Sequence, residues 1–368
     1  MSGTFGLIAT LPAMALLAAA MAVPAAHAAT VVYVGNAESN DIYVLQLDPT
    51  NGALNLIDKV TLPGIAKPGP TSPMAVSPDR RFLYVGVRSE PFTVVGFSID
   101  PASGKLTPTA SGPLADSMAY IATDRSGRFL LSASYGGNKV TVNPIGPPGT
   151  VQAPSQIVTT EPNAHAILAD PGNRHVLSTS LGGDRVHQFR FDANTGTLTP
   201  NTPPSVGVKA KAGPRHFVFH PQGTSVYLLN ELDASVDVFA YDAASGHLKG
   251  LQTLSALPPG FDGKPWAADL HITPDGRFLY ASERTSSTLA AFKIDPGTGT
   301  LSLVGHTPTE QQPRGFAIDP SGRYLLAVGQ LSHGLSSYRI DADNGRLAKL
   351  NAYPMGKNPN WVEIVTLP

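Results

Sequence analysis

A repeated pair of short apolar segments joined by a turn constrains the fold of this chain more than any other feature. Each copy has an apolar segment, a turn built from Pro, Asp, Asn or Gly, and a second apolar segment. The copies are "SPMAVSPDRRFLYVGV", "SMAYIATDRSGRFLLSAS", "AHAILADPGNRHVLSTS", "PRHFVFHPQGTSVYLLN", "AADLHITPDGRFLYASE" and "PRGFAIDPSGRYLLAVG". The first residues of successive second segments are 47, 46, 50, 53 and 46 residues apart. A period of this length indicates a repeat architecture.

A second turn follows in most copies, which gives each repeat four strands. These turns read "DPTNGAL", "DPASGKL", "DANTGTL", "DAASGHL", "DPGTGTL" and "DADNGRL". Asp, Asn, Pro and Gly supply the fixed or positive φ angles that tight hairpins need. Runs such as "FTVVGFSID" have strand character, and no helical period of 3.6 residues is evident. The pattern predicts the four-stranded blades of an all-β propeller.

The two ends of the array each hold half a repeat. "VVYVGN" at 31–36 matches a second strand, and "NPNWVEIVTLP" at 358–368 matches a first strand. Together they complete one more blade. We therefore predict a seven-bladed β-propeller over residues 29–368, closed by pairing of the N-terminal and C-terminal strands.

The repeat also identifies the residues at one mouth of the central channel. In a propeller the first strand of each blade lies nearest the channel and the second returns antiparallel to it, so the start of the first and the end of the second share a mouth. Counting from the first residue of each second strand, the positions ten before and six after are Ser72, Ala119, His165, Arg215, Ala268, Arg314, Asn360, Ala37, Arg88, Tyr135, Leu181, Glu231, Arg284 and Gln330.

Polar residues are concentrated at these fourteen positions, which include four Arg, one His and one Glu between almost wholly apolar strands. A concave mouth lined by converging polar groups is the usual place for a small ligand. Guanidinium groups bind phosphate and carboxylate in a bidentate manner, so the excess of Arg predicts an anionic ligand. Taken alone, Arg215 and Glu231 could instead be a structural ion pair, and Arg88 could be a solvated residue.

Other polar residues of the repeat have simpler explanations. Asp275 lies at a hairpin turn, where turn chemistry accounts for it. His216 follows Arg215 and by strand alternation points to the other face, which favours a role in packing between blades. Asp269 and His271 lie one and three residues into an inner strand. We take Asp269 as a possible partner in substrate binding.

Composition excludes several functional classes. The formal net charge is −1 and the pI is about 6.8, so no basic surplus favours nucleic acid or an anionic membrane surface. The chain has no cysteine, which excludes disulfides, thiolate nucleophiles and Cys-ligated metal sites. No metal-binding motif is present, and we expect neither a metal nor an organic cofactor.

The first 28 residues read as a secretory signal peptide. The apolar run "LIATLPAMALLAAAMAV" is followed by "PAAHAA", with small residues at Ala26 and Ala28. No Lys or Arg precedes the run, which is unusual for such a signal. A retained membrane anchor and a misassigned start codon are the alternatives. We expect cleavage near Ala28 and a periplasmic or secreted protein that does not remain in the membrane.

Several long motifs resemble one enzyme family. "VSPDRRFLYVGVR", "GPRHFVFHP", "NELDASVDVF", "WAADLHITPDGRFLYASERT" and "QQPRGFAIDPSGRYLLAVGQLSH" closely resemble the seven-bladed propeller form of 6-phosphogluconolactonase. That family includes the fungal carboxy-cis,cis-muconate cyclases. The resemblance covers essentially all of residues 30–368 and implies hydrolysis of a lactone, as in the pentose phosphate pathway. Because that pathway is cytoplasmic, the predicted export leaves a non-phosphorylated lactone open.

The resemblance also implies catalytic residues, because the cyclase relatives use a His, two Arg and a Glu at matching positions. By motif these are His165 in "NAHAIL", Arg215 in "GPRHF", Glu231 in "LNEL" and Arg284 in "SERT". "SER" replaces the family's usual "NR" or "DR", which could alter the pocket through Glu283. The remaining polar positions are candidates for substrate binding: Arg314, Arg88, Gln330, Asp269 and Asn360.

These residues suit lactone hydrolysis. Glu231 is the only carboxylate at the selected positions and is the candidate general base. Arg215 or His165 could stabilise the oxyanion, and Arg284 and Arg314 could hold a phosphate or carboxylate. A muconate-type cycloisomerase and a non-catalytic periplasmic propeller that binds a ligand or a protein are the alternatives. We expect an anionic small-molecule lactone as substrate, no nucleic-acid partner and a monomer.

Overall fold

The computed structural model describes residues 1–7, 28–65 and 67–368. Its regular secondary structure in these ranges is entirely β, in seven antiparallel sheets that follow one another around the channel. The predicted all-β, seven-bladed propeller with four-stranded blades is thus confirmed. In two blades the outermost position is occupied by two short strands instead of one.

Thirty strands make up the seven blades. Those of the first three blades are β1 (Thr30–Asn36), β2 (Asp41–Leu47), β3 (Leu54–Thr61), β4 (Met74–Val76), β5 (Phe82–Val87), β6 (Thr93–Ile99), β7 (Leu106–Pro108), β8 (Gly112–Pro113), β9 (Met118–Thr123), β10 (Phe129–Ser134), β11 (Lys139–Gly146), β12 (Thr150–Val151) and β13 (Gln156–Thr159). Blades four and five contain β14 (Ala164–Ala169), β15 (His175–Ser180), β16 (Arg185–Asp192), β17 (Thr197–Gly207), β18 (Pro214–Phe219), β19 (Ser225–Asn230), β20 (Ser235–Asp242) and β21 (His247–Ser255). Blades six and seven contain β22 (Ala267–Ile272), β23 (Phe278–Glu283), β24 (Thr288–Ile294), β25 (Leu301–Pro308), β26 (Pro313–Ile318), β27 (Tyr324–Gly329), β28 (Gly334–Ile340) and β29 (Leu347–Pro354); β30 (Pro359–Thr366) returns to the first blade.

The second strand of every blade is buried along its whole length. Each has a strand of its own sheet on both sides, and neighbouring blades cover both faces, so its sequence consists mostly of small and apolar residues. The core therefore consists of clusters between blades. In one of them Tyr227 and Val238 of the fifth blade pack with Leu279 and Phe292 of the sixth. Burial of such side chains contributes about 1.5 to 3 kcal/mol each.

The hairpin between β18 and β19 brings the two ends of the motif together. Gly223 adopts a φ of +67° in the turn, a conformation that favours glycine, and its N–H donates to the His220 carbonyl at 2.7 Å. The antiparallel register then places Pro214 opposite Asn230. The residues that follow these two, Arg215 and Glu231, consequently lie at the same end of the blade.

A β-bulge interrupts the inner strand at the channel mouth in six of the seven blades. At β18 and β26 the residue without a cross-strand partner is Arg215 or Arg314, and at β30 it is Asn360. At β14 the bulge includes His165. Because bulges re-aim side chains and are common beside active sites, this recurring bulge sets the direction of the mouth residues.

The ring closes as predicted. β30 is the innermost strand of the first blade and pairs antiparallel with β1, from Thr30 opposite Thr366 to Gly35 opposite Trp361. Closure extends one residue further, because the Leu367 N–H donates to the Ala29 carbonyl at 2.8 Å.

The predicted signal segment, residues 1–28, falls mostly on residues 8–27, which lie outside the described residues. Within the described ranges, no helix has the length and hydropathy of a membrane span.

We expect deletion of residues 359–368 to abolish cooperative folding, because it leaves β1 without its inner partner and removes the buried Val362 and Val365 from two inter-blade clusters. Circular dichroism during thermal unfolding measures the effect. Deletion of the exposed Pro368 alone is the control and should leave the melting temperature unchanged. A protein lacking 359–368 that melts at the parent temperature would contradict closure by these strands.

Candidate functional site

A carboxylate held by two arginines from adjacent blades lies at the channel mouth. Glu231 follows β19 in the fifth blade, and its Oε2 accepts from Arg215 Nε at 2.7 Å. The same oxygen lies 2.9 Å from Nη2 of Arg284, which follows β23 in the sixth blade. Both arginine side chains are 1% exposed, whereas that of Glu231 is 13% exposed. The carboxylate is therefore the accessible member of the cluster.

The two guanidinium groups are fixed by further contacts. Arg215 Nη1 donates to the Ala268 carbonyl. Arg284 donates from Nε to the Trp266 carbonyl at 3.0 Å and from Nη2 to the Ala267 carbonyl at 2.9 Å. Its guanidinium also stacks on the Trp266 ring, 3.8 Å from the centroid. Glu231 is thus held by groups that cannot easily turn away from it.

The charges around Glu231 favour its ionised form. Burial acts to raise the pKa of this carboxyl, but Arg215, Arg284 and Arg314 together outweigh burial, and the pKa lies below its usual value of 4.5. Among the described residues, no group donates a hydrogen bond to Oε1 of Glu231. The site therefore presents an ionised carboxylate with one oxygen free for a ligand or a water.

His165 lies beside this cluster as a neutral imidazole. The residue is 4% exposed, and its Nδ1 has no hydrogen-bond partner in the described part of the chain. Burial, followed by the charges of Arg215, His216, Arg314 and Arg88, holds the pKa of His165 well below 6.5. A neutral ring can exchange hydrogen bonds with a ligand without adding charge.

The other two arginines leave the mouth with excess positive charge. Arg88 donates to Ser117 Oγ at 3.2 Å and to Thr71 Oγ1 at 2.8 Å, both of them neutral groups. Arg314 is half-buried and donates no hydrogen bond to any described residue. Burial and the repulsion of Arg215 lower the pKa of Arg314. Four guanidinium groups thus share one carboxylate, and an anionic ligand would relieve their repulsion.

Two predicted binding residues make contacts within the protein. Asn360 is 1% exposed, accepts from the Ser72 N–H at 3.0 Å and donates to the Asn358 carbonyl at 2.7 Å. Gln330 donates to Asn358 Oδ1 at 2.8 Å and accepts from Gln312 at 3.0 Å. Both lie at the mouth, and each amide donates one hydrogen bond and accepts one within the protein.

His216 is closer to the site than strand alternation predicts. Its Nδ1 is 2.8 Å from Asp269 Oδ1, and its ring lies 5.1 Å from that of His165. The predicted role of His216 in packing between blades agrees with its 5% exposure and its edge-on ring contacts with Tyr120 and Trp361. The bulge at Arg215 breaks the strand alternation, however, and the ring also contacts His165 at the mouth. Asp269 also bonds His271 Nε2 at 3.2 Å, so its carboxylate serves two histidines. Among the described residues, no three His, Asp or Glu side chains are grouped so that they could hold a metal ion.

Sequence reasoning missed one wall of the site, which lies between β21 and β22, outside the repeat. A cavity of about 390 Å³ opens there, lined by Glu231, Leu232, Lys264, Pro265, Trp266 and Thr285. Trp266 is one of only two tryptophans in the chain, and the rarity of this residue type could have drawn attention to the loop. The structure also explains Glu283: it is fully buried, and its carboxylate accepts from the backbone N–H groups of Trp266 and Ser286.

We expect Arg215→Met to lower the free energy of unfolding by about 3 kcal/mol, because removal of one partner leaves buried charge poorly compensated. Urea unfolding measures the change, and adding Glu231→Gln should recover part of the loss. The control Lys209→Met removes an ion pair whose lysine side chain is 74% exposed, and it should cost at most about 1 kcal/mol. An Arg215→Met protein as stable as the control would contradict a buried ionic cluster.

Comparisons with known proteins agree with the fold and the site. The sequence model of the family "Lactonase, 7-bladed beta-propeller" matches residues 27–364. The 6-phosphogluconolactonase of Serratia proteamaculans is 45% identical over 91% of this chain and 98% of its own length. That of Pectobacterium carotovorum subsp. carotovorum is 44% identical over 92% and 99%. The structure of a Pseudomonas aeruginosa periplasmic gluconolactonase superimposes with a TM-score of 0.83 at 28% identity, covering 92% of this chain and 100% of that one. This chain therefore belongs to the seven-bladed β-propeller lactonase family.

Proposed function

We propose that this protein hydrolyses 6-phospho-D-glucono-1,5-lactone to 6-phosphogluconate. The observation that carries the proposal is the ionised Glu231, with one oxygen free, among four arginines of which only Arg215 and Arg284 pair with it. An ionised carboxylate can accept a proton at its free oxygen. The surplus of guanidinium groups suits an anionic substrate that gains further negative charge in the reaction. Relatives about 45% identical over nine-tenths of the chain bear the name of this activity.

In the proposed first step a water molecule attacks the lactone carbonyl carbon. Glu231 Oε1 accepts a proton from that water while the new C–O bond forms and the carbonyl π electrons move to oxygen. Arg215 and Arg284 hold the carboxylate through Oε2, so the free oxygen keeps a fixed direction. Positioning of this kind makes a bimolecular step effectively unimolecular within the enzyme–substrate complex.

In the second step the tetrahedral intermediate collapses. Its oxyanion is stabilised by the charge of Arg215 and by a hydrogen bond from neutral His165, and Arg314 is free to bind the same oxygen. The ring C–O bond then breaks, and the ring oxygen leaves as a hydroxyl with the proton that Glu231 received. The product carboxylic acid loses its proton to solvent and departs as a carboxylate. No metal or organic cofactor takes part in this scheme.

A second candidate substrate is the non-phosphorylated glucono-1,5-lactone. The structural neighbour from P. aeruginosa is named a periplasmic gluconolactonase, and the N-terminal segment of this chain has the pattern of an exported protein. The same Glu231 chemistry serves both lactones, because they share the ester that is cleaved. The two substrates differ only at the far end of the sugar, where the enzyme would have to recognise or ignore a phosphate.

We also propose that residues 1–28 are removed on export and that residues 29–368 form the mature enzyme, acting as a monomer in the periplasm or outside the cell. The family match begins at residue 27, and the seven blades close into a ring within one chain. Mass spectrometry of protein recovered from the periplasm should give an N-terminus near Ala29. Recovery of intact residues 1–28 on the mature protein would contradict this processing.

We expect Glu231→Gln to lower kcat on 6-phosphogluconolactone about 100-fold or more, because the amide cannot accept the proton from water. A coupled assay of 6-phosphogluconate, corrected for spontaneous hydrolysis, measures the rate. The control Glu38→Gln changes an exposed glutamate in the first blade and should keep full activity. Full turnover by a Glu231→Gln protein with the parent melting temperature would exclude Glu231 as the base.

The pH profile gives a second test of the base. Because the pKa of Glu231 lies below 4.5, the carboxylate remains ionised as the pH falls to that value, and base function is lost only below it. We therefore expect kcat/KM for glucono-1,5-lactone, which carries no titrating phosphate, to be flat from about pH 5 to about pH 8, with its acid limb below pH 4.5. An acid limb near pH 6.5, the usual pKa of histidine, would contradict this assignment.

A further inference from the structure

The loop between β21 and β22 forms a wall of the Glu231 cavity whose backbone is held firmly. The Trp266 N–H donates to Glu283 Oε1 at 2.6 Å, and the Trp266 carbonyl accepts from the Arg284 N–H at 3.1 Å. Thr285 Oγ1 donates to the Lys264 carbonyl at 2.8 Å. The backbone from 264 to 266 is thus tied to the segment that carries Arg284. The backbone of this wall therefore has a fixed position relative to Glu231.

Lys264 contributes an uncommitted positive charge to this wall. Its side chain is exposed and lines the cavity together with Glu231. Its ammonium group forms no ion pair with the described residues, whereas Lys139 and Lys209 pair with Asp116 and Asp233 at 2.9 and 3.1 Å. An unpaired ammonium beside a cleft is available to a ligand anion.

The other surfaces of the cavity suit a sugar. Trp266 is 40% exposed, and Arg284 stacks on its ring 3.8 Å from the centroid. Leu232 and Pro265 extend the apolar surface, and Thr285 lies beside it. The cavity volume of about 390 Å³ lies within the range of small-molecule sites, about 300 to 1,000 Å³. The cavity therefore has a carboxylate, an apolar surface and an ammonium in one continuous space.

Resting on the proposed function, we propose that Lys264 binds the phosphate group of the lactone and so sets the preference for the phosphorylated over the non-phosphorylated substrate. With the ester carbonyl at Glu231, the sugar lies along Trp266 and its phosphate reaches the ammonium. Lysine binds phosphate as a point charge on a flexible stem, which suits a group at the end of a rotatable arm. The arginines of the mouth are left to stabilise the charge that develops at the ester.

The test compares Lys264→Met with wild type on 6-phosphogluconolactone and glucono-1,5-lactone. We expect kcat/KM for the phosphorylated lactone to fall about 10- to 100-fold, mainly through KM, because one charge-assisted contact is lost. The rate on glucono-1,5-lactone should change less than about twofold, and Lys264→Arg should restore most of the loss. The control Lys249→Met removes the same charge from an exposed position on β21 and should alter neither rate. Equal effects on both lactones, or none, would overturn the proposal.

A binding measurement separates this proposal from the proposed reaction. Calorimetric titration with 6-phosphogluconate should give binding to wild type that Lys264→Met weakens about tenfold or more, while the weaker binding of gluconate should not change. If the wild type binds in this way but hydrolyses neither lactone, the proposed function fails and the phosphate site stands. If 6-phosphogluconate binds wild type and Lys264→Met equally, or binds neither, the phosphate site is overturned.

Discussion

The contact of Glu231 with Arg215 and Arg284 is the interaction on which the site depends. It joins the second strand of one blade to its own first strand and to the next blade. Burying three ionisable groups is costly unless they compensate one another, so each member requires the others. The same contact keeps the carboxylate ionised and directs its second oxygen outward. The same cluster therefore compensates the buried charges and keeps the carboxylate able to accept a proton.

The propeller makes this cluster possible by repetition. Every blade delivers the start of its first strand and the end of its second to the same mouth, and the inner-strand bulge re-aims the residue there. Seven blades thus offer many equivalent positions, of which only a few carry polar groups. His165, Arg314 and Arg88 reach the mouth in this way from three further blades. The surplus of positive charge arises because several of these equivalent positions carry arginine. The apolar clusters between blades stabilise the scaffold that holds them.

The repeat predicted the ring, its closure and the meeting of Arg215 with Glu231, because those features follow from strand order and spacing alone. It did not predict the direction of His216, since a one-residue bulge reverses the alternation that such a prediction assumes. The wall formed by Lys264 and Trp266 lies in the connection between β21 and β22, which is longer than most connections between blades, so register could not locate it. The features that the repeat did not predict are therefore those that depend on irregular backbone.

The most direct test of this account is a crystal structure of the Glu231→Gln protein soaked with 6-phosphogluconate, the stable product. The account predicts that the C1 carboxylate lies at the channel mouth, within hydrogen-bond reach of residue 231, His165 and Arg314, and that the phosphate lies at Lys264. Product bound with its phosphate among the mouth arginines and its carboxylate elsewhere would reverse the proposed orientation. Product bound outside the mouth would contradict the assignment of the site.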